Sequence, residues 1–187
     1  MAQKNEVSLD TDELIALIKL DLEKGNIEKA LLKLKEVIKD KNVPSEAYAI
    51  AARTYAQLGL FERAKDNFNR YLENNPDATT ELFQLGMSHL DCGEKQEALG
   101  IWDRLLKKAP VHPPALFYKG LVLAQSGKIA DAKQSLDTLL KSANVDNLYF
   151  GRAKELLQSI ANDQLSHGNN GGEQTTTLPK GAYQQGH

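Results

Sequence analysis

A glycine followed five residues later by an alanine returns along this chain at a fixed interval of 34 residues. A fixed interval of this length is typical of repeat proteins, in which one short supersecondary unit is copied and stacked on its neighbours. The interval constrains the fold more than any other feature of the sequence. The four glycine and alanine pairs are Gly25 and Ala30, Gly59 and Ala64, Gly93 and Ala98, and Gly127 and Ala132.

Each repeat is predicted to be a helical hairpin. Apolar residues precede each glycine at helical spacing, as Leu14, Leu17 and Ile18 do, and a second helical pattern follows it. A glycine between two such patterns is typical of a left-handed helix cap, where a side chain would be strained. Clusters of asparagine and proline separate one hairpin from the next. The predicted hairpins span 11–44, 45–78, 79–112 and 113–146, and a single capping helix spans 147–162.

Polar segments flank this predicted array, which covers residues 11–162. Residues 1–10 are predicted to be an N-terminal arm, and Asp10 with Glu13 has the pattern of a capping box that opens the first helix. Residues 163–187 contain too few large apolar side chains to offset the entropy of ordering them. A disordered polar tail is therefore predicted there.

The residues around the glycines and alanines resemble the tetratricopeptide repeat family. The resemblance implies an all-α fold, a right-handed superhelical solenoid of helix-turn-helix repeats. Ile18 and Asp21 depart from the family pattern, so the first hairpin is predicted to be a degenerate N-terminal cap. In the best-matching hairpin, the second, the framework residues are Tyr48, Ala51, Ala52, Tyr55, Gly59, Ala64, Phe68 and Pro76.

Small residues are predicted to let the two helices of a hairpin approach closely, while a large residue on the second helix fills the space beside the crossing. The small residues on the first helices are Ala52, Gly86 and Gly120. The large residues on the second helices are Leu34, Phe68, Trp102 and Leu136.

The resemblance also implies a concave groove, lined by the first helix of each hairpin, that holds a protein or peptide ligand. The groove positions of the third and fourth hairpins are apolar, which suits an amphipathic helix or an extended apolar peptide. The alternative is that these side chains only pack against neighbouring helices or the chain's own tail. The predicted partner-binding residues are Ile15, Lys19, Arg53, Phe83, Met87, Leu90, Phe117, Tyr118 and Leu121.

No catalytic, cofactor-binding or metal-binding residues are predicted. His89 and Cys92 stand three residues apart, but no further ligands converge on them in the sequence. Cys92 is the only cysteine, which favours a reducing, cytoplasmic location. The balance of 25 acidic against 23 basic residues predicts no nucleic-acid partner. No apolar run approaches the ~20 residues of a membrane span, so no membrane insertion is predicted.

These observations together predict a protein-protein interaction module, an adaptor, scaffold or assembly factor, rather than an enzyme. One alternative is a structural scaffold that associates with copies of itself. A second alternative is an accessory factor of a secretion or cytochrome-maturation assembly, because residues 98–106 resemble bacterial proteins of that type.

Overall fold

The computed structural model describes residues 9–40 and 42–167, with the backbone alone described over 163–167. Within these residues the structure contains nine α-helices and no strand, which confirms the all-α prediction. Residues 1–8 of the predicted arm and 168–187 of the predicted tail lie outside the described residues. The helices are α1 Thr11–Glu23, α2 Ile27–Lys39, α3 Ser45–Gln57, α4 Phe61–Asn74, α5 Thr79–Asp91, α6 Lys95–Lys108, α7 Pro113–Gln125, α8 Ile129–Ser142 and α9 Leu148–His167.

The helices fall into two compact units, which divide between Pro76 and Asp77. In the first unit α1 packs on α2, α2 on α3, and α3 on α4. In the second unit α5 packs on α6, α6 on α7, α7 on α8, and α9 on both α7 and α8. Each unit therefore contains two helical hairpins, and the second unit adds one further helix.

The turn inside every hairpin is a Schellman motif with glycine in the left-handed conformation, as predicted. The four glycines have φ angles between 72° and 81°. In the second hairpin Gly59 N–H donates to Ala56 O at 3.0 Å, and Leu60 N–H donates to Tyr55 O at 2.9 Å. The same pair of bonds closes the other three hairpins. These bonds satisfy carbonyls that the end of a helix leaves without partners.

In the second unit the two helices of each hairpin approach as closely as predicted from the small residues Gly86 and Gly120. A Cβ added to Gly86 would lie 2.7 Å from Trp102 Cδ1, and one added to Gly120 would lie 2.8 Å from Leu136 Cγ. Real Cβ atoms are not found at such distances. The large partners are fully enclosed, since Trp102 and Leu136 each expose 0% of their surface.

The first hairpin replaces the family framework with its own contacts. Ile18, at the position where later hairpins have alanine or glycine, is 0% exposed. The Lys33 ammonium forms an ion pair with the Asp21 carboxylate, and this bond holds the pKa of Asp21 below its usual range. The hairpin opens with the predicted capping box, in which Asp10 Oδ1 accepts from Glu13 N–H at 2.8 Å.

The last helix, α9, ends at His167, five residues beyond the predicted end of the capping helix at 162. Its packing face includes Ala153 and Ile160, which expose 0% and 5% of their surface. The region predicted as tail therefore begins as helix in its first residues. Among the helices of the described residues, none has the length and apolar character needed to cross a bilayer.

Candidate functional site

Three of the predicted partner-binding residues lie in the first unit. Ile15 is buried, with 6% of its surface exposed, so it belongs to the packing between helices. Lys19 and Arg53 are exposed. Lys19 Nζ lies 2.7 Å from a carboxylate oxygen of Glu46, an ion pair between the first and second hairpins of this unit.

The other six lie in the second unit, where they are more buried than an open apolar surface would require. Only Phe83, on α5, is partly exposed. The remaining five each expose between 4% and 7% of their surface, because they pack within the unit. The structure thus favours, for these five, the alternative in which they pack against neighbouring helices. They are Met87, Leu90, Phe117, Tyr118 and Leu121.

Aromatic rings from four helices and one loop meet in this unit. The ring centroids of Phe83 and Tyr118 lie 5.9 Å apart, and those of Trp102 and Tyr118 lie 6.2 Å apart. Contacts at these distances between tilted or edge-on rings stabilise a fixed geometry. We call this set the aromatic cluster. Its members are Phe83, Trp102, His112, Phe117, Tyr118 and Tyr149.

Phe83 is held from several sides within the aromatic cluster. Its ring centroid lies 6.4 Å from that of Trp102 and 5.5 Å from that of His112. The Trp102 Nε1–H also points at Phe83 O, at 3.4 Å. Phe83 is therefore a partly exposed aromatic side chain whose orientation is already set by its neighbours. His112 and Tyr149 are the other partly exposed members of the cluster.

His112 is both a member of the cluster and the N-cap of α7. Its Nδ1 accepts a hydrogen bond from Ala115 N–H at 3.2 Å, a role that requires this nitrogen to be unprotonated. Burial lowers the pKa of His112 below its usual value. The imidazole is thus held neutral between the cap and the Phe83 ring.

The two tyrosines of the cluster extend it to α9. Tyr149 contacts the rings of Phe117 and Tyr118 at 5.6 and 6.2 Å. Burial raises the pKa of both Tyr118 and Tyr149. The Arg152 guanidinium, 5.7 Å from the centroid of the Tyr149 ring, acts in the opposite direction. Both phenols are therefore uncharged at neutral pH.

His112 and Tyr149 were missed as site residues by the sequence reasoning. His112 ends a predicted hairpin and Tyr149 stands in the predicted capping helix, and neither holds a groove position of the first helices. Both lie beside apolar residues whose exposure is visible only in the structure. Val111 exposes 54% of its surface and Leu148 exposes 58%.

The repeated framework of the hairpins defines a class of protein, and comparison with known proteins identifies the family. Hairpins with a left-handed glycine, a small residue at the crossing and a large partner opposite it define a helical-hairpin repeat protein. Two models of the tetratricopeptide repeat family match the chain, one over residues 45–78 and the other over 83–147. The chain belongs to the tetratricopeptide repeat family, and in general terms it is a protein-interaction module.

Solved structures share the fold. A tetratricopeptide repeat protein from Parabacteroides merdae ATCC 43184 superposes with a TM-score of 0.72 at 22% identity, covering 82% of this chain and 60% of that one. YrrB, described as a tetratricopeptide repeat protein with an unusual peptide-binding site, gives 0.70 at 19% identity, covering 78% and 74%. MamA gives 0.70 at 19% identity, covering 84% and 87%.

A curated relative matches part of the chain. The probable biofilm formation methyltransferase WspC of Pseudomonas putida is 33% identical over 90 residues. The match spans 48% of this chain and 21% of that protein, about a fifth of its length.

Proposed function

We propose that this chain is a cytoplasmic adaptor that performs no reaction itself and binds an apolar segment of a partner protein, a peptide or an amphipathic helix. The segment lies on the first helices of the third and fourth hairpins, in the groove that the family resemblance implies. Phe83 is the central anchor. Nucleic acid, membranes and cofactors have no part in this proposal.

The observation that supports the proposal is the state of Phe83. A partly exposed aromatic side chain fixed by three other rings loses little conformational freedom when a ligand covers it. Residues with these properties contribute most of the free energy of binding at protein interfaces. Met87, Leu90 and Leu121 keep only small exposed fractions, so in this proposal they shape the surface beside Phe83 rather than enclose the ligand.

Lys19 and Arg53 have a secondary role in the proposal. Both are exposed cations on first helices of the first unit. They would attract a carboxylate of a partner that binds this unit, and the ion pair of Lys19 with Glu46 would have to exchange for it. Exposed ion pairs of this kind contribute about 0–1 kcal/mol, so the exchange costs little.

The test is site-specific photo-crosslinking of the full chain. A photoreactive phenylalanine analogue replaces Phe83 in one variant and Phe61 in a control, since Phe61 is also partly exposed but lies in the first unit. We expect a discrete protein to be captured from position 83 and not from position 61. With that protein purified, Phe83→Ala should weaken binding at least tenfold, about 1.4 kcal/mol.

The control Phe61→Ala should leave this affinity within a factor of two. Equal capture from both positions, or equal affinity in both alanine variants, would overturn the assignment of Phe83. Capture of a second copy of this chain from position 83 would instead support the self-associating scaffold, which light scattering would show as a dimer.

A second candidate function is an accessory role beside a catalytic protein. The observation that favours it is the match to a fifth of a protein named as a probable methyltransferase. In this second proposal the chain binds an enzyme and supplies no catalytic residues itself. A captured partner with enzymatic activity would support it, and a captured partner without one would count against it.

A further inference from the structure

A cleft in the first unit carries charge and apolar surface together. It lies between α2 and α4, has a volume of about 580 Å³, and is floored by Tyr55 of α3. On α2, Leu32 lines this cleft and exposes 59% of its surface, and Ile38 is half-buried. An exposed leucine above an aromatic floor is a favourable place for an apolar side chain of a ligand.

The lining of this cleft is predominantly basic. Four of its residues are cationic and two are acidic. One of the acids, Glu36, is already paired with Lys39 at 2.7 Å. The net charge of the lining is therefore positive in a chain whose total charge is −2. The cations are Lys35, Lys39, Arg63 and Arg70, and the acids are Glu36 and Asp66.

The two arginines are held in fixed positions. The Arg63 guanidinium lies 5.7 Å from the centroid of the Tyr55 ring, and the Arg70 guanidinium lies 5.5 Å from that of Tyr48. Stacking of this kind leaves the edges of a guanidinium available for carboxylate oxygens. Because both arginines are on α4 seven residues apart, their Cα atoms are separated by about 10 Å along the helix.

We propose that this cleft binds an acidic segment of a partner protein, with two carboxylates about 10 Å apart and an apolar side chain between them. Arg63 and Arg70 each receive one carboxylate, and the apolar side chain lies against Leu32 and Tyr55. A helix with acidic residues at i and i+7 has this spacing. Asp40 and Glu73, which line a smaller pocket that shares Arg70, limit the basic stretch on that side.

The second unit contains a cleft at the equivalent repeat positions that lacks these features. Counting 68 residues onward, Arg63, Arg70 and Leu32 correspond to Asp131, Thr138 and Gly100. The cleft between α6 and α8 includes all three of these residues. The pair of arginines and the exposed leucine are therefore specific to the cleft of the first unit, and the second cleft, in which two lysines face two aspartates, serves as an internal reference.

The test uses two synthetic alanine-based helical peptides and the full chain. One peptide has glutamates seven residues apart with a leucine midway, and the other has glutamines in place of the glutamates. Fluorescence anisotropy measures binding. We expect the glutamate peptide to bind at least tenfold more tightly than the glutamine peptide, with an affinity that falls as salt is raised.

The variant Arg63→Gln/Arg70→Gln should reduce binding of the glutamate peptide at least tenfold. Arg63→Lys/Arg70→Lys should give an intermediate loss, because lysine keeps the charge but not the planar stacking group. The control Lys128→Gln/Lys141→Gln removes the same charge from exposed positions of the second unit and should change affinity less than twofold.

Equal losses of affinity in Arg63→Gln/Arg70→Gln and in the control Lys128→Gln/Lys141→Gln would show that only net charge matters and would overturn the proposal. So would equal binding of the two peptides, or a dissociation constant weaker than about 1 mM for the glutamate peptide. A dimer that Arg63→Gln/Arg70→Gln dissociates in light scattering would assign the cleft to a second copy and would also overturn it. Phe83 is unchanged in all these variants, so the result is independent of the proposed function.

Discussion

The second and third hairpins solve one packing problem with two different pairs of residues. In the second hairpin, Ala52 on the first helix is matched by Phe68 on the second. Thirty-four residues later the pair is Gly86 and Trp102. All four residues are buried, and Phe68 and Trp102 each expose 0% of their surface. As the residue on one helix loses a methyl group, the residue on the other gains a larger ring.

Between these two hairpins a smaller residue on one helix is accompanied by a larger one on the other, so that both crossings stay filled. The first and fourth hairpins do not follow this exchange, because Ile18 and Gly120 both lie opposite a leucine. The larger ring in the third hairpin has a further consequence, because Trp102 reaches Phe83 and Tyr118 as well as Gly86. The same framework position is thus a local packing residue in one unit and part of the aromatic cluster in the other.

The largest change in stability is expected when the rings of Phe68 and Trp102 are truncated, and it tests the comparison between the two hairpins. Phe68→Ala and Trp102→Ala each leave a cavity in a close-packed crossing, at a cost of about 3–5 kcal/mol of unfolding free energy. Because Trp102 also supports the aromatic cluster, its truncation should be the more costly of the two. Guanidinium unfolding followed by circular dichroism measures both, and a greater loss for Phe68→Ala would contradict the supporting role of Trp102.

A smaller effect is expected from filling the glycine side of the third crossing. Gly86→Ala places a methyl group against the Trp102 ring, so the free energy of unfolding should fall by about 1–3 kcal/mol. The double variant Gly86→Ala/Trp102→Phe recreates the pair of the second hairpin. It should be more stable than the sum of its single changes by about 0.5–3 kcal/mol. Strict additivity would show that the two positions do not share one volume.

The sequence predicted the parts of the fold that one residue type dictates. A left-handed turn needs glycine and a close crossing needs a small residue, so Gly59 and Gly86 could be interpreted without a structure. The size of the opposing ring was visible as well. What each large residue additionally contacts was not visible, because Trp102 meets Phe83 of α5 and Tyr118 of α7 only once these helices are packed on α6.

The candidate site was predictable in outline but not in exposure. Repeat position indicated which helix face Phe83 and Phe117 occupy, but periodicity does not measure how much of a face the next helix covers. Phe117 is covered in part by Tyr149 of α9, and sequence alone did not place that ring. The basic cleft was missed for a related reason. Arg63 and Arg70 are positioned by stacking on tyrosines of another helix, and the sequence does not show which side chains of two helices meet.

Two exposed glycines, one in each unit, allow backbone conformation to be separated from packing. A Cβ at Gly59 or at Gly100 would meet no atom within 4 Å, so neither substitution creates a clash. Gly59 has a φ of 72°, and Gly59→Ala should therefore cost about 1–2 kcal/mol of unfolding free energy. Gly100 lies within α6, and Gly100→Ala should gain about 0.5–1 kcal/mol. Thermal unfolding of both variants checks the opposite signs.

If both alanine variants were destabilised alike, the cost at Gly59 could not be assigned to its left-handed conformation. The same would follow if Gly59→Ala were neutral. The pair is a sharper test than either variant alone, because the same methyl group is added and at neither position does it meet a neighbouring atom.

The smallest expected effect concerns the residues that begin the first helices. Pro44 precedes α3 in the first unit and makes no side-chain cap, whereas His112 caps α7 in the second. Because burial lowers the pKa of His112 below 6.5, the unfolded chain binds a proton at a higher pH than the folded chain does. The contribution of His112 to stability should therefore fall as the pH drops below about 6.5, and level off below the folded pKa.

His112→Asn tests this contribution, because asparagine caps a helix without titrating. We expect the fall in stability between about pH 7.5 and 5 to be smaller in this variant than in the unchanged chain. Asp21 does not interfere, since its pKa is lowered from 3.8 and its titration lies below this window. The other histidines are present in both proteins, so their contribution cancels in the difference. An unchanged pH profile would show that His112 gains its proton equally in the folded and unfolded chain, and that the neutral cap is not required for the contact with Phe83.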